Sequence, residues 1–338
     1  MPSVDGPGPS GRSVPVVSEW LLSGSARRLA EELDEAGIKL DEPDAVRELL
    51  FDELDYARRI PMFEGRRPLY GSFSMPPGTT ITTAGGLADL VPLDGLPREM
   101  ARTFSDGRSA FVVNRHDDQP LLACFGRPVQ YEAELVRLQE VTGARIVQRT
   151  LTFGQVRLFS DGRVVSWDGQ DWSDRPTAAA LVPRLRQWAP DLDSDVAHGL
   201  LDLVVHWLSP ARIGATIVVH EQGFQWASMD VATKFHAPPL SIKNRQHFPA
   251  LFASLQQHDL ATLVTADGTV EYLGVGLRSS VEAERNVDSN RGMRHRSAQR
   301  FSYDHPSTTI AVVSDNGPVT IFRGGSAFSL TSTHDPTT

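Results

Sequence analysis

The chain has 338 residues, 40% of them hydrophobic, with a formal net charge of -9 and one cysteine, which predicts two domains that each bury a core. The acidic balance excludes general charge-driven binding to nucleic acid or to an anionic membrane face, yet leaves room for a local basic patch that takes a small anion. Lone Cys124 excludes an internal disulfide, no Cys/His spacing is that of a zinc site, and no apolar run approaches the roughly 20 residues of a membrane span, so a cytoplasmic protein is expected.

Residues 1–17, rich in Pro, Gly and Ser, offer too few apolar groups to offset ordering entropy and read as a disordered arm. Between Ser25 and Arg59 two helices are predicted, from Leu29 and Leu33 before Gly37 and from Val46, Leu49, Leu50 and Leu54 after Asp41 and Pro43. From Ile60 to Arg175 turn signals recur between short apolar stretches, which predicts mixed α/β structure with antiparallel hairpins. The clearest hairpin is VRLFSDGRVVSWDG, turning at Asp161-Gly162, and residues 131–142 read as a helix.

After WAPDLDSD the pattern changes, placing a boundary near residue 190: an N-terminal α+β domain over 18–189, a C-terminal domain over 190–330 and a flexible tail over 331–338. Asp193 or Ser194 can cap a helix whose apolar stripe is Val196, Leu200, Leu203, Val204, Trp207 and Leu208. RIGATIVVH reads as a buried central strand, and a helix follows from about Pro249. Strands at 260–265 and 269–275, a helix near 292–302, and strands at 308–313 and 318–323 complete a mixed sheet with flanking helices. The fold class is α/β, the C-terminal mixed-sheet domain being preceded by a smaller α+β domain.

The stretch RGMRHRSAQR, 291–300, concentrates Arg291, Arg294, Arg296 and Arg300 around His295. Residues two apart on a helix point about 200° away from each other, so Arg294 and Arg296 grip one ligand only at a helix entrance. Gly292 supplies such an entrance, where free N–H groups and the helix dipole add to the arginine forks and suit phosphate. A solvated arginine-rich helix start is the bland alternative. Upstream, LATLVTADGTVEYLGVGL is a strand, a tight Asp267-Gly268 turn and a second strand. Asp267 is either a turn former or a carboxylate at a strand end that holds a divalent metal or accepts a hydroxyl proton.

These pieces, with LLDLVVHWLSPARIGATIVVHE and TTIAVVSDNGPVTIFRGG, resemble the diadenylate cyclase domain family first associated with DNA-integrity scanning proteins, over residues 193–325. The family's signatures are Asp-Gly-Ala and Arg-His-Arg. The resemblance implies condensation of two ATP into cyclic di-AMP with release of two pyrophosphates, Mg2+ or Mn2+ as cofactor, and a site completed only when two domains meet face to face, hence a homodimer or higher homo-oligomer. It implies that Asp267 sits at the metal and the attacking hydroxyl, and that Arg294, His295 and Arg296 hold the triphosphate. Gly268, Thr269, Gly292, Met293, Ser297 and Ser314 would then contact nucleotide, with Asp315 as the second metal carboxylate. The chain departs from the pattern at Ala266, where one branch has His, at Thr269 for Ala, at Met293 for Thr and at Asp315 for Glu.

Two other readings stand beside this one: a catalytically weak or inactive sensor using the same pocket, and a DNA-scanning protein, which the acidity and the lack of an added helix-hairpin-helix region disfavour. The N-terminal domain reads as sensory with an unknown ligand. His198, Asp202 and His206, four apart on one helix, read as a polar outer face, since the outer pair lie about 12 Å apart and cannot share one ion. NRHDDQ, 114–119, reads as a polar hairpin turn, and Trp167 and Trp172 as packing residues.

Overall fold

The computed structural model describes residues 24–76, 88–115, 119–129, 131–150, 154–221, 224, 229–230, 235–287 and 292–330. The arm over 1–17, the tail over 331–338, Arg291 and residues 116–118 of the polar turn lie outside these.

The two helices expected first are α1 (Gly24–Glu35) and α2 (Asp44–Arg59). Strands β1 (Tyr70–Ser74), β2 (Ala88–Pro92), β3 (Ala110–Asn114), β4 (Leu121–Phe125), β5 (Arg145–Arg149), β6 (Val156–Ser160), β7 (Arg163–Trp167) and β8 (Trp172–Pro176) form one sheet in the order β2-β4-β3-β1-β5-β6-β7-β8. All its neighbours run antiparallel except β1 and β3. One face packs on α1 and α2 through Leu29, Leu33, Leu50 and Leu54; the other carries Phe73, Phe111 and Ile146 against Leu135 and Val136 of α4 (Glu132–Thr142). A short α3 (Arg98–Arg102) brings Arg102 to buried Glu53 of α2, with a 2.8 Å Nη2 to Oε1 contact. The hairpin at Asp161-Gly162 forms as expected, Gly162 taking φ +71°.

The second part opens with α5 (Ala178–Trp188), a helix hidden in the sequence because Pro183 reads as a breaker. Then come α6 (Ser194–Asp202), capped by Asp193, and a π-helical turn over Leu203–Leu208. Strands β9 (Ala215–His220), β10 (Met229–Asp230) and β11 (Phe235–His236) precede α7 (Phe248–Leu255). After them β12 (Ala261–Thr265), β13 (Val270–Leu277), α8 (Val281–Asn286), α9 (Met293–Asp304), β14 (Thr309–Val313), β15 (Val319–Arg323) and β16 (Ser326–Ser329) close the fold. The sheet runs β10-β13-β12-β9-β14-β15-β16, with β11 also on β13.

Strand β9 is buried at every residue and central, parallel to β12 and antiparallel to β14. That geometry gathers the N-terminal ends of β9 and β12 and the C-terminal end of β14 at one end of the sheet. The largest core joins α5, α6 and the π-helical turn to one face of this sheet and takes in Ala133 of α4, so the two parts share packed apolar surface. The other face is covered by α9 through Ala298 and Phe301.

Candidate active site

The basic cluster falls where a glycine opens a helix. Gly292 is the N-cap of α9, so Met293, Arg294 and His295 form its first turn, whose N–H groups lack helical acceptors and carry the positive helix end. This turn, residues 259–261 at the entrance of β12, residues 275–277 at the end of β13, Thr216 and residues 314–316 after β14 enclose a cavity of about 690 Å³. That volume is in the range of small-molecule sites.

Arg294 bridges two carboxylates brought from different strand ends. Its Nη1 donates to Asp315 Oδ1 at 2.9 Å and its Nη2 to Asp259 Oδ1 at 2.5 Å. Partial burial works to lower the guanidinium pKa, but the hydrogen bonds and charges of Asp315 and Asp259 outweigh it and hold the group protonated. The bridge lies directly on the backbone of Gly214: a Cβ there would overlap Asp315 Oδ1 and Arg294 Nη1. His295 Nε2 stands 3.4 Å from Ser314 Oγ, and its ring meets Phe322 edge-on at 5.9 Å. Leu260, 42% exposed, and Met293, 81% exposed, give the cavity apolar surface of the kind a flat heterocycle packs on.

Of the residues expected to act together, Gly292, Met293, Arg294, His295, Ser297, Ser314 and Asp315 line this cavity. Arg296 is exposed and is not in the lining, the outcome of its two-residue offset from Arg294 once the helix has begun. Asp267, Gly268 and Thr269 are not there at all. They turn the chain from β12 to β13 at the opposite end of the sheet, a strand length or roughly 17 Å away at about 3.3 Å per residue.

Asp267 instead braces its own turn. Its Oδ1 accepts from Thr269 N at 3.0 Å and from the Thr265 hydroxyl, and these bonds hold its pKa below the usual carboxylate value. Gly268 takes φ +87° against Ile242 and Lys243, as the turn requires. A metal site shared by Asp267 and Asp315 is therefore not formed within one chain.

The acid that does face the arginine is Asp259, which the sequence alone did not single out. His258-Asp259-Leu260-Ala261 supplies the His, the Asp and the Ala whose absence around Asp267 left Ala266 and Thr269 as departures from the family pattern. Only the glycine is replaced, by Leu260. The signal was present as that flanking pattern, and it was masked by the stronger turn signature of Asp267-Gly268.

Asp202, at the end of α6, and His206, in the π-helical turn, are not an outer face. Asp202 and His206 are buried; Asp202 Oδ2 accepts from Arg245 Nε at 2.6 Å, and His206 faces Glu132. Among the described residues no group of three or more His, Cys, Asp or Glu is placed to hold a metal. Trp167 and Trp172 pair across β7 and β8 with Arg58 over both rings, in keeping with a packing role.

Residues 203–327 match the family model described as DisA bacterial checkpoint controller nucleotide-binding, and residues 27–175 match the model described as probable sensor domain DACNK. No curated protein matches the chain. Among solved structures, a hypothetical membrane spanning protein from Bacillus cereus aligns at 22% identity over 44% of this chain and 64% of that one, less than two thirds of its length, with a TM-score of 0.29. DacA from Staphylococcus aureus, in a double-mutant form, aligns at 18% identity over 44% of this chain and 90% of that one, also with a TM-score of 0.29. Among the described residues no helix is long and apolar enough to cross a membrane.

Proposed function

We propose that this chain, in which a nucleotide-binding domain of the diadenylate cyclase family follows a sensor domain, condenses two ATP into cyclic di-AMP and two pyrophosphates. The observation that carries the reading is the convergence of Arg294, His295, Asp259 and Asp315 on one cavity within the residues matched to that family. A cavity of about 690 Å³ takes one nucleotide, and the reaction needs two, so two copies meet face to face.

Each 3′-oxygen attacks the α-phosphorus of the other ATP. One P–O bond forms, the bond to the bridging oxygen breaks, and pyrophosphate leaves. Such chemistry asks for positioning and charge neutralisation more than covalent help. Arg294, His295 and the free N–H groups of α9 hold the triphosphate, while Leu260 and Met293 pack on the base. The Asp259 carboxylate accepts the proton of the attacking hydroxyl. Asp259 and Asp315 already share one positive charge, the Arg294 guanidinium, and two hard oxygens on an open cavity fit Mg2+ or Mn2+. The ion, when bound, supplies neutralisation of phosphate charge. The lone Cys124 fits a cytoplasmic setting, and the net charge of -9 fits a protein whose partners are nucleotide and its own copies rather than nucleic acid.

A nucleotide sensor without turnover is the second reading, favoured by Leu260 in the glycine position of the motif. One assay separates the two: purified protein with ATP and either Mg2+ or Mn2+, products resolved by chromatography, beside Asp259→Asn and Asp267→Asn. Cyclic di-AMP from wild type and Asp267→Asn but not from Asp259→Asn is expected. No cyclic dinucleotide under either metal, with ATP still bound, would leave the sensor.

A further inference from the structure

The sensor domain reaches into the nucleotide-binding domain through one buried carboxylate. Glu132 opens α4 and is 4% exposed, yet it is surrounded by cations. Its Oε1 takes hydrogen bonds from Arg175 Nη2 and, at 2.9 Å, from His206 Nδ1, and Arg157 Nη1 lies 3.4 Å from Oε2. Ala178 N donates to His206 Nε2 at 3.0 Å, which leaves Nδ1 as the donor to Glu132. Glu132, Arg157 and Arg175 belong to the sensor match; His206 belongs to the other.

These groups close on an unusual element. His206 sits in the π-helical turn over Leu203–Leu208, and Arg175 Nη1 donates to the carbonyl of Val205 in that same turn at 3.1 Å. A π-turn has a longer hydrogen-bond repeat than the helix around it and persists where outside groups hold it, commonly at functional sites. Tyr131, beside Glu132, stacks on Trp207 with ring centroids 4.0 Å apart.

The far end of the turn meets the loop whose residues 314–316 line the nucleotide cavity. Gly317 lies against Ser209, where an added Cβ would stand 3.2 Å from the Ser209 carbonyl. Gly317 N also donates to Ser314 O at 2.9 Å, closing the loop that carries Asp315, and Asp315 holds Arg294.

We propose that Glu132 is a positioning residue for the nucleotide site, supplied by the sensor domain: with Arg175 it holds residues 203–208 as a π-turn, and so sets the place of the Ser314 to Gly317 loop and of Arg294. When that grip is lost the segment relaxes to α-helical pairing, which withdraws Ser209 from Gly317 and loosens the Asp315–Arg294 bridge. The proposal rests on the nucleotide reading of the cavity, and it gives the N-terminal domain a physical route to it through a two-state element.

The test compares full-length wild type, Glu132→Gln and Arg175→Lys. The lysine variant keeps the charge next to Glu132 but lacks the fork that also reaches the Val205 carbonyl. ATP affinity by calorimetry and amide hydrogen exchange over 203–210 and 314–317 are read on protein shown to be folded by its near-UV spectrum. Both variants are expected to bind ATP about fivefold or more weakly, in the usual range of coupling between sites, and to exchange faster in both segments. Folded variants with wild-type affinity and exchange overturn the proposal. So does faster exchange over 203–210 with no change over 314–317. Wild type that binds no ATP overturns the nucleotide reading instead, and the exchange at 314–317 still decides whether Glu132 controls that loop. Should Glu132→Gln fail to fold, Arg175→Lys alone decides.

Discussion

Gly214 shows how a missing side chain builds the site. Its backbone is the floor on which Arg294 and Asp315 pair, and overpacking at such a contact costs on the order of 1–3 kcal/mol. Gly214→Ala is expected to displace the guanidinium and weaken ATP binding roughly tenfold, measured by calorimetry; unchanged affinity would mean that this seating of Arg294 is dispensable. At the same scale, Arg294 and His295 were legible because a glycine before good helix formers marks a helix start, where phosphate groups bind. Asp259 was not, because a leucine interrupts its motif while Asp267-Gly268 offered an intact Asp-Gly pair. The chemistry of a turn imitated the chemistry of a site.

Among the elements, periodicity located most helices and strands of the second part, and the near-continuous apolar run RIGATIVVH proved to contain its central strand, buried at every residue from 215 to 220. The π-turn could not be read, since Leu203–Leu208 is buried throughout and such a run has no period to betray its repeat. Nor could the parallel pairing of β1 with β3, which depends on contacts distant in sequence. The contact of α4 with the π-turn leaves a signature in acid. Burial works to raise the pKa of Glu132, but the charges of Arg175 and Arg157 and the hydrogen bond from His206 pull it down to about 2. A carboxylate held below its unfolded value of about 4.3 contributes stability above that value and loses it as pH falls toward the folded one. Wild type is therefore expected to lose urea resistance between about pH 4.5 and 2 more steeply than Glu132→Gln, as read from unfolding midpoints. Parallel profiles would assign the acid sensitivity to other carboxylates.

For the whole molecule, a cavity sized for one nucleotide and the proposed condensation of two ATP would together tie activity to assembly. Specific cyclase activity is expected to rise with protein concentration across the range in which sedimentation shows monomers pairing. Activity per chain that stays constant into the monomer range would contradict a site shared by two copies. An N-terminal α+β part and a C-terminal mixed-sheet part were legible in the sequence, whereas α5, which precedes the change of pattern near residue 190, packs into the core of the second sheet. The shared core was not legible, because Ala133 and Tyr131 on one side and Trp207 on the other carry no sign of their meeting until the chain is folded.

The turn from β12 to β13 gains a use from its displacement. Ala266 and Asp267 are exposed there, at the end of the sheet away from the cavity, and the chain's single thiol, Cys124, lies in the other sheet. With Cys124 replaced by Ser, a cysteine introduced in place of Ala266 would carry an environment-sensitive dye. Such a label would sit a strand length from the groups proposed to bind nucleotide and leave them untouched.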